Sequence, residues 1–225
     1  MEDKIVKLQE LVDAILIKRS TNPRILEAGC GSRMQIHFGE RAHITGIDIS
    51  EKQLLRNMDV DERIVGDIQS YDYQPSSFDI IICWNVLEHL QNPLSALHRF
   101  VDAIKPGGII ILGLPNVLSL KGLVTKYTPH GFHVWAYRYL FGVPDAGKDD
   151  NAPFRTVLSY TVSPIAIKRF ALQKGLKILY FASYDTEFYR KKLGLFFSIP
   201  NQLIKYLSLG WLGDSDFIVA LKKEQ

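Results

Sequence analysis

Ile25-Leu26-Glu27-Ala28-Gly29-Cys30-Gly31 decides how this chain of 225 residues is read. An apolar run that ends in an acid and then in two closely spaced glycines describes a buried strand entering a turn, where the missing Cβ atoms let the main chain approach a ligand. Working outward, His43-Ile44-Thr45-Gly46-Ile47-Asp48-Ile49 reads as the next strand. It puts Asp48 about twenty residues after the glycines, the separation at which a carboxylate at a neighbouring strand tip meets ribose hydroxyls. Together the two stretches predict an adenosine pocket.

The chemistry of the turn narrows the ligand. A dinucleotide fingerprint ends in a third glycine, where this chain has Met34, and Glu27 stands two residues before Gly29. A carboxylate there would repel a pyrophosphate. A cation reverses the sign, because a carboxylate and strand-end carbonyls favour an ammonium or a sulfonium. S-adenosylmethionine carries both.

Further pieces follow in order: Gly66-Asp67-Ile68, Ser77-Phe78-Asp79 leading to Cys83, Leu87-Glu88-His89-Leu90, and Lys105-Pro106-Gly107-Gly108. With the opening turn and Asp48, this series resembles the class I S-adenosylmethionine-dependent methyltransferases over roughly residues 24–114, with a matching tail at 163–222. Arg33 departs from the pattern, since many members have a third glycine there. The resemblance implies an α/β fold: a doubly wound, mostly parallel seven-stranded sheet, Rossmann-like, with S-adenosylmethionine as methyl donor and S-adenosylhomocysteine as product. It assigns Glu27 to the methionine end, Gly29, Cys30 and Gly31 to the close backbone, Asp48 to the ribose, and the neighbouring Ile49 to the cofactor site. Asp67 and Ile68 go to the adenine edge and face, and Asn85 to the ligand edge of the sheet.

The acceptor side is less defined. Leu87-Glu88-His89-Leu90 looks most like the ubiquinone-type O-methyltransferases and related natural-product enzymes, which implies a hydroxyl acceptor on an apolar or lipid-like small molecule. His89 is then the candidate general base, because its ordinary pKa lies near neutrality; the plainer reading is a histidine that only positions the acceptor. His130 and His133, beside Trp135, are weaker candidates, whereas His37, His43 and His98 read as surface or helix histidines. An alternative groups Glu88, His89, His130 and His133 around a divalent metal, resembling small-RNA 3′-terminal methyltransferases, but those carry a Glu where this chain has Asn85. The site is therefore read without a metal. A third reading keeps the pocket and gives the chain a non-catalytic partner role.

Composition sets the outer bounds. Apolar residues make up 47% and charged residues 23%, which is ordinary for a single globular domain of this length. A net charge of +3 without a basic cluster does not indicate nucleic acid. Two cysteines, Cys30 and Cys83, supply neither a disulfide framework nor a zinc set and read as small packing residues. The charged opening Met1-Glu2-Asp3-Lys4 and the lack of an eighteen-residue apolar run lead to the expectation of a cytoplasmic protein.

Periodicity predicts a helix that ends before Asn22-Pro23, then strand 24–28, a short helix near 33–39, strand 43–48, a helix capped by Ser50, and a short strand at 63–65. Strand 78–84, helix 93–104 and strand 109–114 follow, and after a gap a helix opened by Ser163-Pro164 and closed by Gly175, with strands at 176–183 and 216–221. Residues 115–160 break the alternation. They hold Tyr127, Phe132, Trp135, Tyr137, Tyr139 and Phe141, too many aromatics for disorder, and read as a cap over the ligand edge that either selects the acceptor or packs a small subdomain. The apolar stretch 190–213 reads as a lid, a subunit interface or a peripheral membrane contact, so homo-oligomerisation stays open.

Overall fold

A computed structural model of the chain describes residues 2–19, 22–31, 35–39, 41–148, 151–185 and 214–224. The strands are β1 (Arg24–Ala28), β2 (His43–Asp48), β3 (Glu62–Val65), β4 (Phe78–Trp84), β5 (Ile104–Pro115), β6 (Leu176–Tyr184) and β7 (Asp216–Lys223). They form one seven-stranded sheet in the order β3-β2-β1-β4-β5-β7-β6. The first five run parallel, and β7 is antiparallel to both β5 and β6. The sheet is thus mixed, with one reversed strand. Its order turns back between β1 and β4, and at such a switch the loops leaving the two strand ends part and open a crevice.

Burial on both faces explains why β4 is an unbroken apolar run. Its alternate side chains divide between two cores: Ile81 and Cys83 join Leu26, Phe100, Ile110 and Leu112 on one side, while Ile80 and Ile82 join Ile25 and Ile111 on the other. The first side is covered by α3 (Pro93–Ala103) and α6 (Pro164–Gln173), which contribute Leu97, Phe100, Ile167 and Phe170. The second is covered by α1 (Glu2–Arg19), whose Leu8 and Val12 are fully buried at helical spacing. Helix starts follow the expected chemistry: Ser50 accepts the Gln53 N–H at the head of α2 (Glu51–Arg56), and Asn92 and Ser163 do the same for Ser95 and Ala166, each followed by proline.

Two local expectations change. Residues 35–39 are irregular, not helical. The Gln9 amide accepts the His37 N–H at 3.0 Å and donates to the His37 carbonyl at 2.7 Å, so the groups a helix would use are satisfied by α1, and Ile36 is buried with Phe38 packed against the same core. Arg33 and Met34 lie outside the described residues. The Lys105–Gly108 turn, in turn, belongs to β5: between the pairs Phe78↔Ile104 and Ile80↔Ile109 the register slips, with Gly107 in the left-handed region at φ 70°.

The cap contains two helices, α4 (Leu120–Tyr127) and α5 (His130–Tyr139), followed by an irregular segment that returns to α6. Its aromatic series divides. Phe132, Tyr137 and Phe141 line a cavity, whereas Tyr127, Trp135 and Tyr139 are exposed, with Trp135 stacked on Phe132. The 190–213 stretch lies outside the described residues.

Candidate active site

At the tip of β1 the chain turns through Gly29 (φ 72°) and Gly31 (φ 53°), both left-handed. The Gly29 N–H donates to the Ile47 carbonyl at 2.7 Å, which closes the turn against β2. The room left by its missing Cβ is taken by the protein: a Cβ there would sit 2.4 Å from Val86 Cγ2. The Gly31 N–H donates to Asp48 Oδ2 at 2.9 Å, and the other carboxylate oxygen accepts the Ser50 N–H at 2.8 Å. Asp48 therefore ties the glycine turn to the start of α2 while each oxygen keeps a second lone pair for a ligand hydroxyl. Buried Asn57 braces the same turn from below, donating to the Cys30 and Gly31 carbonyls.

Glu27 is the electrostatic centre of this side. Its side chain is buried, and Oε2 has no hydrogen-bond partner among the described residues. Burial, with a smaller push from Asp59, raises its pKa from 4.5 to about 8. The neighbouring Cys30 thiol is pushed up to about 12, mainly by burial and further by Asp48 and Glu27, so it stays a thiol. Ile49 is 78% exposed beside Asp48, an apolar face open to a ligand ring. Asp67 accepts the Gln69 backbone and side-chain N–H groups, and Ile68 packs into the main core. An orphaned buried carboxyl, a left-handed glycine cradle and a half-engaged Asp48 fit a ligand that brings an ammonium group and a pair of ribose hydroxyls.

Beyond the tip of β4 lies a cavity of about 800 Å³ between the sheet edge and the cap. Its cap-side wall is mainly apolar, with Leu120, Val124, Phe132, Ala136, Leu140 and Phe141. The sheet side is polar, with Asn85, Glu88, His89 and Asp216. Asn85 closes β4 in the left-handed region at φ 55°, its N–H bonded to the Gly113 carbonyl at 2.9 Å.

His89 closes the short 3-10 turn Leu87–His89 and lies edge-on to Phe154. Its Nδ1 is 2.8 Å from the Arg155 carbonyl, and because a carbonyl only accepts, Nδ1 carries the proton and Nε2 holds a lone pair. Burial lowers the pKa below its usual 6.5, and the Arg155 contact opposes the shift only in part. The imidazole is neutral at pH 7. The chain that orients it is itself held down, since the Glu88 carbonyl accepts the Val157 and Leu158 N–H groups at 2.8 and 2.9 Å.

Glu88 is buried, with Oε2 unpartnered among the described residues, and desolvation aided by Asp216 raises it to about 8. Lys121 reaches from α4 to the start of β7, where Nζ meets both Asp216 oxygens at 3.0 Å. Of the weaker candidates, His133 lines the cavity and bonds Thr128 Oγ1, with its pKa lowered by burial and by His130. His130 packs against His133 with its Nδ1 buried and unpartnered among the described residues. Among the described residues no three His, Cys, Asp or Glu side chains are grouped to share a metal ion.

Sequence reasoning missed Lys121 and Asp216. Neither lies in a motif, and they are 95 residues apart. It also missed the Arg155 carbonyl, for which a backbone atom leaves no sequence signal.

Comparison with known proteins agrees with this geometry. The profile of a family described as "Methyltransferase domain" matches residues 2–176. The ubiquinone biosynthesis O-methyltransferase of Azoarcus sp. (strain BH72) is 26% identical over 166 residues, 69% of this chain and 65% of that protein. Its counterpart in Aromatoleum aromaticum is 25% identical over 214 residues, 89% of this chain and 77% of the other. The chain spans about half the length of several other curated relatives, 53% and 56% in two of them. Among solved structures, a putative methyltransferase from Bacillus halodurans C-125 superposes with a TM-score of 0.60 at 14% identity, covering 99% of this chain and 100% of that one.

Proposed function

Because the chain belongs to the methyltransferase-domain family and has the class I fold, we propose that it transfers a methyl group from S-adenosylmethionine to an oxygen of a small apolar acceptor. The observation that carries the reading is His89: a neutral imidazole, oriented through Nδ1, on the wall of a largely apolar cavity beyond the tip of β4. Relatives named for O-methylation support oxygen as the acceptor atom.

When bound, S-adenosylmethionine supplies a methyl group on a cationic sulfur. Glu27 releases its proton and faces the ammonium group, which provides the positive charge that its burial now lacks. Gly29 and Gly31 hold the turn, Asp48 accepts the ribose hydroxyls while keeping its bonds to Gly31 and Ser50, and Ile49 and Asp67 border the adenine. His89 Nε2 takes the proton from the acceptor hydroxyl, and the imidazolium so formed is stabilised by its Nδ1–H bond to Arg155. The cap walls exclude water and hold the apolar body of the acceptor, so the remaining barrier is chiefly one of alignment.

Among the described residues no helix is long and apolar enough to cross a membrane. The test pairs calorimetry with S-adenosylhomocysteine and transfer of labelled methyl groups to a panel of apolar hydroxylated compounds. His89→Ala is expected to bind the cofactor normally and to lose turnover. Unchanged turnover in that variant removes the base assignment, and affinity for a nicotinamide nucleotide in place of S-adenosylhomocysteine removes the whole reading.

A further inference from the structure

His89 takes its tautomer from one backbone atom, the Arg155 carbonyl at 2.8 Å from Nδ1, in a stretch without regular structure. Such a stretch has no helix or sheet ladder to fix its peptide planes, so the accuracy of that contact depends on what else grips the segment. Among the described residues, two sets of bonds do so. From the sheet side, the Glu88 carbonyl accepts the Val157 and Leu158 N–H groups at 2.8 and 2.9 Å. Glu88 shares the short turn with His89, so these bonds tie the segment to the ring's own backbone and leave the segment's carbonyls to be satisfied from elsewhere.

The cap supplies the other side. Lys126 of α4 donates from Nζ to the Leu158 carbonyl at 2.7 Å and, at 3.4 Å, to that of Val157. The peptide between Val157 and Leu158 is therefore pinned at both ends, its N–H by Glu88 and its C=O by Lys126. Leu158 itself is held at φ 48°, a left-handed conformation that is strained for a side chain of this size and persists only where neighbours impose it. Nζ also lies 4.7 Å from the centre of the Tyr160 ring, whose hydroxyl is 2.9 Å from that of Tyr127, the next residue on α4. Lysine suits this place because its three N–H donors can serve two carbonyls and still face a ring. Lys126 stands off the cavity wall, to which α4 contributes Leu120, Lys121, Val124 and Thr125, so it can reach the chemistry only through the segment it grips.

We propose that Lys126 is a positioning residue for His89: by gripping the Val157 and Leu158 carbonyls it holds the returning segment so that the Arg155 carbonyl stays on Nδ1 and Nε2 keeps the lone pair that receives the acceptor's proton. The proposal rests on the methyl-transfer reading for its effect on turnover, while the geometry it names can be read without turnover. When Lys126 is removed, two carbonyls lose their cationic donor and the strain at Leu158 relaxes by moving the segment. A carbonyl displaced by about 1 Å no longer bonds Nδ1. The ring proton then also occupies Nε2, and an N–H there donates where the reaction needs an acceptor.

The test reads the His89 tautomer above neutral pH by long-range proton–nitrogen NMR correlation, on the full chain with labelled histidine and S-adenosylhomocysteine bound; the His89→Ala spectrum assigns the signals. The wild type is expected to show Nδ1–H alone. Lys126→Met should place the proton on Nε2 in at least about a quarter of the molecules, and Lys126→Arg, which keeps a cation and its donors, should retain Nδ1–H. His133 is the control, because it lies in the same cap and bonds Thr128 instead. A smaller Nε2–H fraction in Lys126→Met overturns the proposal, as does a wild type without Nδ1–H, a Lys126→Arg spectrum that matches Lys126→Met, or an equal change at His133, which would assign Lys126 to the folding of the cap. If Lys126→Met does not fold, Lys126→Gln is read in its place by the same criterion. With an acceptor that turns over, Lys126→Met should lose about 10- to 100-fold in kcat, less than the roughly 10⁴-fold cost of an imidazole held wholly in the wrong tautomer. In a His89→Ala background the same substitution should cost less than about twofold, and equal losses in both backgrounds overturn the proposal. Failure of S-adenosylhomocysteine to bind the wild type removes the methyl-transfer reading itself; a bound cofactor with an unchanged tautomer removes only the role of Lys126.

Discussion

Replacing Glu27 with Gln should make the protein more stable and a poorer binder of its cofactor at once. The carboxyl has a pKa of about 8 in the fold against 4.5 for an ordinary glutamate, with burial as the main cause. At pH 7 the unfolded chain has lost this proton and the folded one has kept it, so folding must take a proton up, at a cost of about 3 kcal/mol. The sign follows from the raised folded value: the contribution of this group to stability is complete below pH 4.5 and is lost progressively as the pH rises toward about 8. A glutamine has the same shape and no proton to hold. Glu27→Gln should therefore melt close to the wild type near pH 4.5, and above it by about 6 to 12 °C at pH 7, as a change of this size implies for a chain of this length. The same variant loses the charge that meets the ammonium group, so S-adenosylhomocysteine should bind about 10 to 100 times more weakly. Calorimetry in buffers of different ionisation enthalpy adds a third reading, with about one proton released on binding near pH 7 by the wild type and none by the variant. Melting temperatures that match across the whole pH range would refute the burial argument. Stabilisation with unchanged affinity would refute the role of Glu27 toward the cation.

Three other outcomes follow from the geometry. Gly29→Ala should cost about 2 to 4 kcal/mol, because its Cβ would meet Val86 Cγ2 at 2.4 Å at a backbone φ of 72°; urea melts of a double-mutant cycle with Val86→Ala should recover the clash and leave the backbone strain. With cofactor saturating, kcat/KM for the acceptor should rise through a pKa below 6.5 and stay flat above neutrality, and His89→Ala should abolish that inflection with a loss of about 10² to 10⁴ in rate. Lys121→Met takes the ammonium from an aspartate whose side chain is only 10% exposed and should destabilise by about 3 to 5 kcal/mol, read as a shift in the denaturation midpoint, with most of it regained when Asp216→Asn is added.

The sheet and the cofactor side could be read in advance because their determinants are local. Phe78-Asp79-Ile80-Ile81-Ile82-Cys83-Trp84 is buried on both faces, and a doubly covered strand needs no partner sequence to be recognised. Ser163-Pro164 and Gly175 bracket a helix through cap chemistry that acts within one turn. Gly29, Gly31 and Asp48 belong to two adjacent strand tips joined by backbone hydrogen bonds, so their spacing in the chain reflects their spacing in the fold. Residues 35–39 failed as a helix for the opposite reason: what fixes their backbone is Gln9, 28 positions away on another element.

The acceptor side has that long-range character throughout. The Lys121–Asp216 pair joins the first cap helix to the last strand, and Asp216 is in register with Pro115 only because β7 runs antiparallel to β5. His89 could be picked out as a residue that titrates near neutrality, but its tautomer is set by a carbonyl 66 positions later, in a segment without regular structure. Glu27 and Glu88 make the contrast within one residue type. Both are buried acids with an unpartnered oxygen and a pKa of about 8. The glycine turn beside Glu27 announces a ligand, whereas Glu88 lines a cavity only because the cap folds over it. A strand tip gives a binding group its direction from local backbone alone. A pocket wall assembled from α4, α5, the returning segment and β7 gives it direction through contacts that no short window of sequence contains.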